Sequence, residues 1–234
     1  MSEKSFYPQD TETFALRKKK MTIETSKTLG GVGALLMFVG IIPVISSYGV
    51  IELVGLILVM VALYNLASYY TERGIFNNAF YGLIAGIVGG VIAVGVVILS
   101  VLTSLSDFLY TVYPNWNGDW SALSGLTPDT SNLSLDAIVP FLTGLFAALL
   151  ILWIFAIIGF YFVRRSLTSL SAKSSVGLFS TAGLLMLIGA VLIIAVGIGL
   201  LLIWIAMLIL AIAFFQLKPQ QTQPAIPTQT TTQT

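Results

Sequence analysis

The chain has 234 residues, of which 57% are hydrophobic and only 9% charged, and its mean hydropathy is +0.96. A soluble domain carries about 25% charged residues, so these charges are too few to cover a water-facing surface, and much of the apolar surface must face lipid. Cys and His are absent; this excludes disulfides, thiolate metal sites, Cys nucleophiles and the usual proton shuttle of neutral-pH catalysis, and no metal site or cofactor is expected.

The first 27 residues are polar and contain the basic run Arg17-Lys18-Lys19-Lys20. The apolar run behind them exceeds the roughly 7–15 residues of a cleavable leader's core and leads directly into a second apolar run. A retained span is therefore expected. Crossing about 30 Å of hydrocarbon takes about 20 apolar residues. Residues 29–45 form the first span and residues 50–69 the second, separated by a tight turn at Ser46-Ser47-Tyr48-Gly49. After the polar link Tyr70-Thr71-Glu72-Arg73-Gly74 comes a third span, 79–103, then an outer loop, 104–136, and a fourth span, 137–163, closed by Arg164-Arg165.

The last apolar run, Val176 to Leu217, has 42 residues. As one helix it would be about 63 Å long, twice the membrane thickness. Two spans, 176–195 and 199–217, with a turn near Val196-Gly197-Ile198-Gly199, fit better. An internal repeat agrees: an ungapped shift of 149 positions lays Leu35-Leu36-Met37 on Leu184-Leu185-Met186, Gly40 on Gly189, Ile45 on Ile194, Leu53 on Leu202 and Ala62 on Ala211. Residues 218–234 are polar and Thr/Gln-rich and are expected to form a disordered tail.

Six spans place both termini on one side, and every Lys and Arg then lies there: Lys4, Arg17, Lys18, Lys19, Lys20, Lys27, Arg73, Arg164, Arg165, Lys173 and Lys218. The positive-inside rule makes that side cytoplasmic. A five-span chain would strand Lys218 outside. The outer side receives Asp107, Asp119, Asp129 and Asp136, with Glu52 near that surface. The expected fold is an all-α, polytopic bundle of six transmembrane helices, its N-terminal segment (1–27) and tail cytoplasmic.

Little in this pattern carries chemistry. Glu52 is the lone ionisable side chain near a span interior and so the candidate transport or ion site; its place one turn from the Ser46–Gly49 turn also suits an interfacial residue. Gly82, Gly86 and Gly90 recur every four residues along the third helix, a spacing that lets helices pack closely. Packing inside the bundle is the plain reading, and a homo-oligomer through helix three the sharper one. Pro43 should kink the first helix. Phe108, Tyr110, Tyr113, Trp116 and Trp120 suit an interfacial aromatic belt. Asn115, Asn117 and Asp119 alternate around Gly118 but lack the bidentate acid of a calcium loop. Asn132-Leu133-Ser134 is a candidate N-glycosylation sequon on the outer side. Arg17–Lys20 could attract anionic headgroups besides setting orientation. Membrane lipids are the expected partners; no motif supports nucleic-acid binding.

Ser26-Lys27-Thr28-Leu29-Gly30-Gly31-Val32-Gly33, Ala62-Leu63-Tyr64-Asn65-Leu66-Ala67-Ser68-Tyr69-Tyr70 and Gly74-Ile75-Phe76-Asn77-Asn78-Ala79-Phe80-Tyr81-Gly82 together resemble an uncharacterised family of archaeal multi-pass membrane proteins, a domain of unknown function. The resemblance runs over roughly residues 25–217. It implies a location in an archaeal cell membrane and transfers no functional residue. The expected function is that of a non-enzymatic integral membrane protein with a structural, scaffolding or envelope-associated role. The alternative is a small-solute channel or transporter, for which an inward row drawn from Asn65, Ser68, Ser100, Thr143 and Thr181 would be needed. An intramembrane lipid enzyme ranks third, because Glu52 has no second acid beside it.

Overall fold

The computed structural model describes residues 9–40, 49–129, 131, 139–194 and 197–219, with side chains of the first helix placed from Thr22 onward. Among these residues all regular structure is helical: α1 (Gln9–Gly40), α2 (Val50–Tyr69), α3 (Arg73–Val112), α4 (Val139–Ser174), α5 (Leu178–Val191) and α6 (Ile198–Phe215), with short 3-10 turns at Trp120–Gly125 and Leu192–Ile194. Four helices are long and apolar enough to cross a membrane: α2, α3, α4 and α6. In α1 the uninterrupted apolar run is confined to residues 29–40, and α5 is shorter, so neither meets that standard within the described residues. Pro43, the Ser46–Tyr48 part of the first turn, and the tail from residue 220 lie outside the described residues.

The helices outrun the apolar runs at several ends. α1 begins at Gln9 because Ala15, Leu16, Arg17 and the lysines after them are good helix formers with no Gly or Pro among them. α3 continues past Thr103, where a loop was expected, to Val112. Its hydroxyls stay satisfied within the helix: Thr103 donates to Leu99 O and Thr111 to Asp107 O. The helix stops where Pro114 forces Tyr113 out of the α region, at φ −125° and ψ 79°. α4 likewise runs through Arg164-Arg165 to Ser174.

The long terminal apolar run is divided as its length requires. Gly197, at φ 79°, opens α6, and Gly49, at φ 80°, opens α2. Both occupy the left-handed region that glycine enters without steric cost. Helices α1–α2, α3–α4 and α5–α6 are thus three antiparallel hairpins, and contacts between successive helices, together with α6 against α1, close them into a ring. The α2–α3 contact is the thinnest joint of that ring.

Each hairpin crosses at a reciprocal pair of glycines. A Cβ on Gly33 would lie 2.6 Å from the Gly55 carbonyl oxygen, and one on Gly55 2.5 Å from that of Gly33. In the second hairpin, a Cβ on Gly82 would lie 2.7 Å from Gly159 O, and one on Gly159 3.1 Å from Gly82 O. In the third, a Cβ on Gly189 would lie 2.7 Å from Gly199 O, and one on Gly199 would collide with Gly189 O and Ile193 N. Missing side chains let the backbones touch, which is how helices associate where lipid removes the hydrophobic drive.

Side chain to backbone hydrogen bonds add to these joints. Trp204 Nε1 donates to Phe38 O (2.9 Å) and its indole stacks on the Phe38 ring at 4.6 Å, tying α6 to α1. Trp153 Nε1 donates to Ala190 O (3.0 Å), tying α4 to α5, and the buried Ser166 hydroxyl donates to Ile75 O across α3–α4. Both indoles thus donate to backbone carbonyls of a neighbouring helix, Phe38 O on α1 and Ala190 O on α5.

Candidate functional site

These contacts gather charge at one end of the bundle. The Ser166–Ile75 bond places Arg164 and Arg165 of α4 at the level of the first turns of α3, the end that carries Arg73. Lys173 Nζ meets Glu72 Oε2 at 3.4 Å. Phe214 packs on Gly30 of α1 and meets Phe179 edge to face at 5.1 Å, which brings Lys27 and Lys218 to the same end. A cluster of fully buried side chains, including Leu66, Ile75, Leu167, Leu170, Phe179, Phe214 and Leu217, lies beneath this basic end. Tyr70 borders it: burial, with a smaller contribution from Tyr69, pushes its phenol up to about 12.

The acidic loop occupies the opposite end and is folded on itself. Trp116 is 5% exposed, packed against Tyr110 (4.9 Å) and Trp120 (5.4 Å), with its Nε1 donating to Asp119 O. Asp129 N donates to Val112 O, returning the loop to the end of α3. The backbone N–H and then the hydroxyl of Ser121 hold the Asp119 carboxyl below the usual carboxylate range; the hydroxyl and then the N–H of Ser131 do the same for Asp129. Asn117 Oδ1 accepts from Asp119 N. Two of the oxygens that the sequence sets out in alternation, those of Asn117 and Asp119, thus serve as turn caps. Asn132 lies outside the described residues.

Glu52 lies in the first turn of α2, half-buried. Its side chain lies over the last residue of α1, where a Cβ on Gly40 would fall 2.7 Å from Glu52 Cδ. Of the glycines at four-residue spacing in α3, Gly82 forms the crossing with Gly159, while Gly86 and Gly90 have no atom within 4 Å of a built Cβ. Gly89, on the neighbouring line, packs directly on Phe155 of α4. Of the candidate polar row, Asn65 is half-buried in α2, and the other four do not converge. Thr143 and Thr181 are exposed and donate to carbonyls of their own helices, Ser100 donates to Val96 O, and Ser68 is exposed near the basic end.

Two cavities flank the thin α2–α3 joint. The first, about 440 Å³, extends from Leu56, Met60 and Leu63 of α2 and Gly86 of α3 to Phe155 of α4 and Met207 of α6. Met37 and Met186 also line it. Its lining is apolar apart from Ser166, whose hydroxyl is engaged by Ile75. The second, about 470 Å³, is a crevice at the basic end formed by Tyr64, Ala67, Ser68, Thr71, Arg73, Phe76 and Asn77. Neither stood out in the sequence: their residues lie on separate helices, and Met and Gly in an apolar run carry no signal of the space they border.

Comparison with known proteins places the chain without assigning an activity. An uncharacterized protein of Methanocaldococcus jannaschii is 29% identical over 201 residues, covering 85% of this chain and 94% of that protein. No solved structure matches. The profile described as "Protein of unknown function (DUF996)" matches residues 51–208, from the first turn of α2 into α6, and the chain belongs to that family.

Proposed function

We propose that the protein is a non-enzymatic, six-span component of a cell membrane with a structural or scaffolding role, both termini facing the cytoplasm. The observation that carries this reading is the apolar, closely packed interior. The hairpins cross backbone to backbone at glycines, and Ser68, Ser100, Thr143 and Thr181 turn to their own helices or to the surface. A solute path needs polar groups converging on a wet cavity, and the interior cavity here is apolar. The gathering of the described basic residues at one end supports the orientation, because the positive-inside rule assigns that end to the cytoplasm.

Glu52, half-buried against Gly40 of α1, keeps one alternative in play, a small-solute channel or transporter. Flux of a broad panel of ions and small solutes into proteoliposomes separates the two. The structural reading expects wild type and Glu52→Gln to match protein-free vesicles. Flux in wild type that Glu52→Gln abolishes would replace it with transport.

A further inference from the structure

We propose that the α2–α3 seam binds one anionic membrane lipid, its phosphate at Arg73 and one hydrocarbon chain in the apolar cavity. The two cavities sit on one seam, on either side of an aromatic bridge. Tyr64 and Phe76 meet edge to face across it at 5.3 Å, and both line the polar crevice. One turn onward, Met60 on α2 and Ala79 on α3 begin the apolar cavity. A molecule filling both must be polar and anionic at one end and hydrocarbon for the rest, which describes a phospholipid.

Each end of the seam matches its half of that molecule. In the crevice Arg73 is exposed and makes no ion pair among the described residues, while Ser68, Thr71 and Asn77 add hydrogen-bonding side chains at the same mouth. Arginine presents a planar set of donors suited to phosphate oxygens. The apolar cavity offers water no set of two to four polar partners, so water is a poor occupant. Its volume lies in the ordinary range for ligand pockets, about 300–1,000 Å³. Met37, Met60, Met186 and Met207 come from four different helices, and unbranched thioethers adapt to a flexible chain. Gly86 lines the cavity with nothing within 4 Å of a built Cβ, so its missing side chain leaves room for a guest rather than for a neighbouring helix. This inference is compatible with the structural role but does not depend on it.

The test uses full-length protein in phosphatidylcholine vesicles doped with phosphatidylglycerol carrying a photoreactive diazirine on one acyl chain, with cross-links mapped by mass spectrometry. The expected result is labelling concentrated on Met37, Met60, Phe155 and Met207 above the level at Leu99 and Leu102, which are lipid-exposed on α3. Gly86→Leu should reduce the cavity labelling at least fivefold and leave Leu99 and Leu102 unchanged. Gly90→Leu, equally open but outside the cavity lining, should leave both patterns intact and controls for folding. The phosphatidylglycerol probe should exceed the matching phosphatidylcholine probe about fivefold, the worth of one basic group near an anionic surface, and Arg73→Gln should erase that preference. Uniform labelling along the belt, no response to Gly86→Leu, or equal labelling by the two probes would overturn the proposal.

Discussion

The α3–α4 hairpin and its two neighbours are built by the same rule and differ in length. All three are antiparallel pairs crossing at reciprocal glycines. Yet α3 has 40 residues and α4 has 36, both apolar over most of their length, against 32 in α1, whose first half is polar and basic, 20 in α2, 14 in α5 and 18 in α6. The Trp153–Ala190 bond fixes the offset, since it sets the end of α5 beside a residue 14 positions after the start of α4. At about 1.5 Å per residue, α4 therefore runs roughly 21 Å beyond the end of α5. Along that extension Leu99, Leu102 and Phe146 are each more than 60% exposed. The other two hairpins are held by neighbours on both sides, whereas among the described residues the far part of the long one is packed chiefly by its partner helix and the aromatic loop. Where a helix has neighbours, glycine and indole contacts fix it; where it has none, apolar side chains face outward.

Substitutions at the glycines test that contrast most strongly. Gly199→Leu forces a side chain into the backbone of α5 and should cost about 3 kcal/mol or more, as overpacking does, or prevent assembly altogether. Gly86→Ala meets nothing and should be neutral, or stabilising by about 0.5–1 kcal/mol, because alanine loses less entropy in a helix. Thermal unfolding in detergent, followed by circular dichroism and gel filtration, ranks the pair. Equal losses at the two positions would mean that the crossings do not depend on close backbone approach.

The indole donors should matter less. Trp204→Phe and Trp153→Phe each remove one hydrogen bond to a backbone carbonyl of a neighbouring helix, and each should cost about 0.6–1.7 kcal/mol, the range for such bonds in membranes. Trp204→Phe keeps an aromatic ring against Phe38, so a loss well above that range would assign the tie to packing instead.

At the far end of the long hairpin the loop should respond to acid. The carboxyls of Asp119 and Asp129 are held below their ordinary value of 3.8 by Ser121 and Ser131. Their contribution to loop order is therefore fully present above about pH 4 and lost as pH falls through the lowered folded-state values. Trp116 and Trp120 report on it: emission should stay constant from pH 7 to 5 and shift red only below about pH 4. Asp119→Asn should weaken the loop already at pH 7.

Lys173→Ala should have the smallest effect. The Lys173–Glu72 pair is 48% and 38% exposed, and exposed pairs contribute about 0–1 kcal/mol. A clear loss of stability would show that the basic end is held by charge rather than by the cluster around Leu66, Ile75 and Phe214.

Much of this architecture was written in the order of residues. Charge depletion and run length required membrane-length helices, because exposed peptide groups in hydrocarbon must bond within their own segment. The length of the final run required a break, and Gly197 supplies it with a conformation that other residues adopt only with strain. The greater length of the long hairpin was partly legible in its longer apolar runs, but not the extension of α3 through Thr103 to Val112, since a polar helix end satisfied by its own hydroxyls reads as loop. The partners were not legible at all. Nothing in spacing shows that Gly82 faces Gly159 while Gly86, four residues on, borders empty space. Nor does it place Arg73 below a cavity lined by methionines from four helices. Local sequence determines where a helix starts, ends and turns, because those are contacts between near neighbours in the chain. Which glycines carry a crossing and which leave room for a guest depends on how the helices meet, and only the tertiary structure decides that.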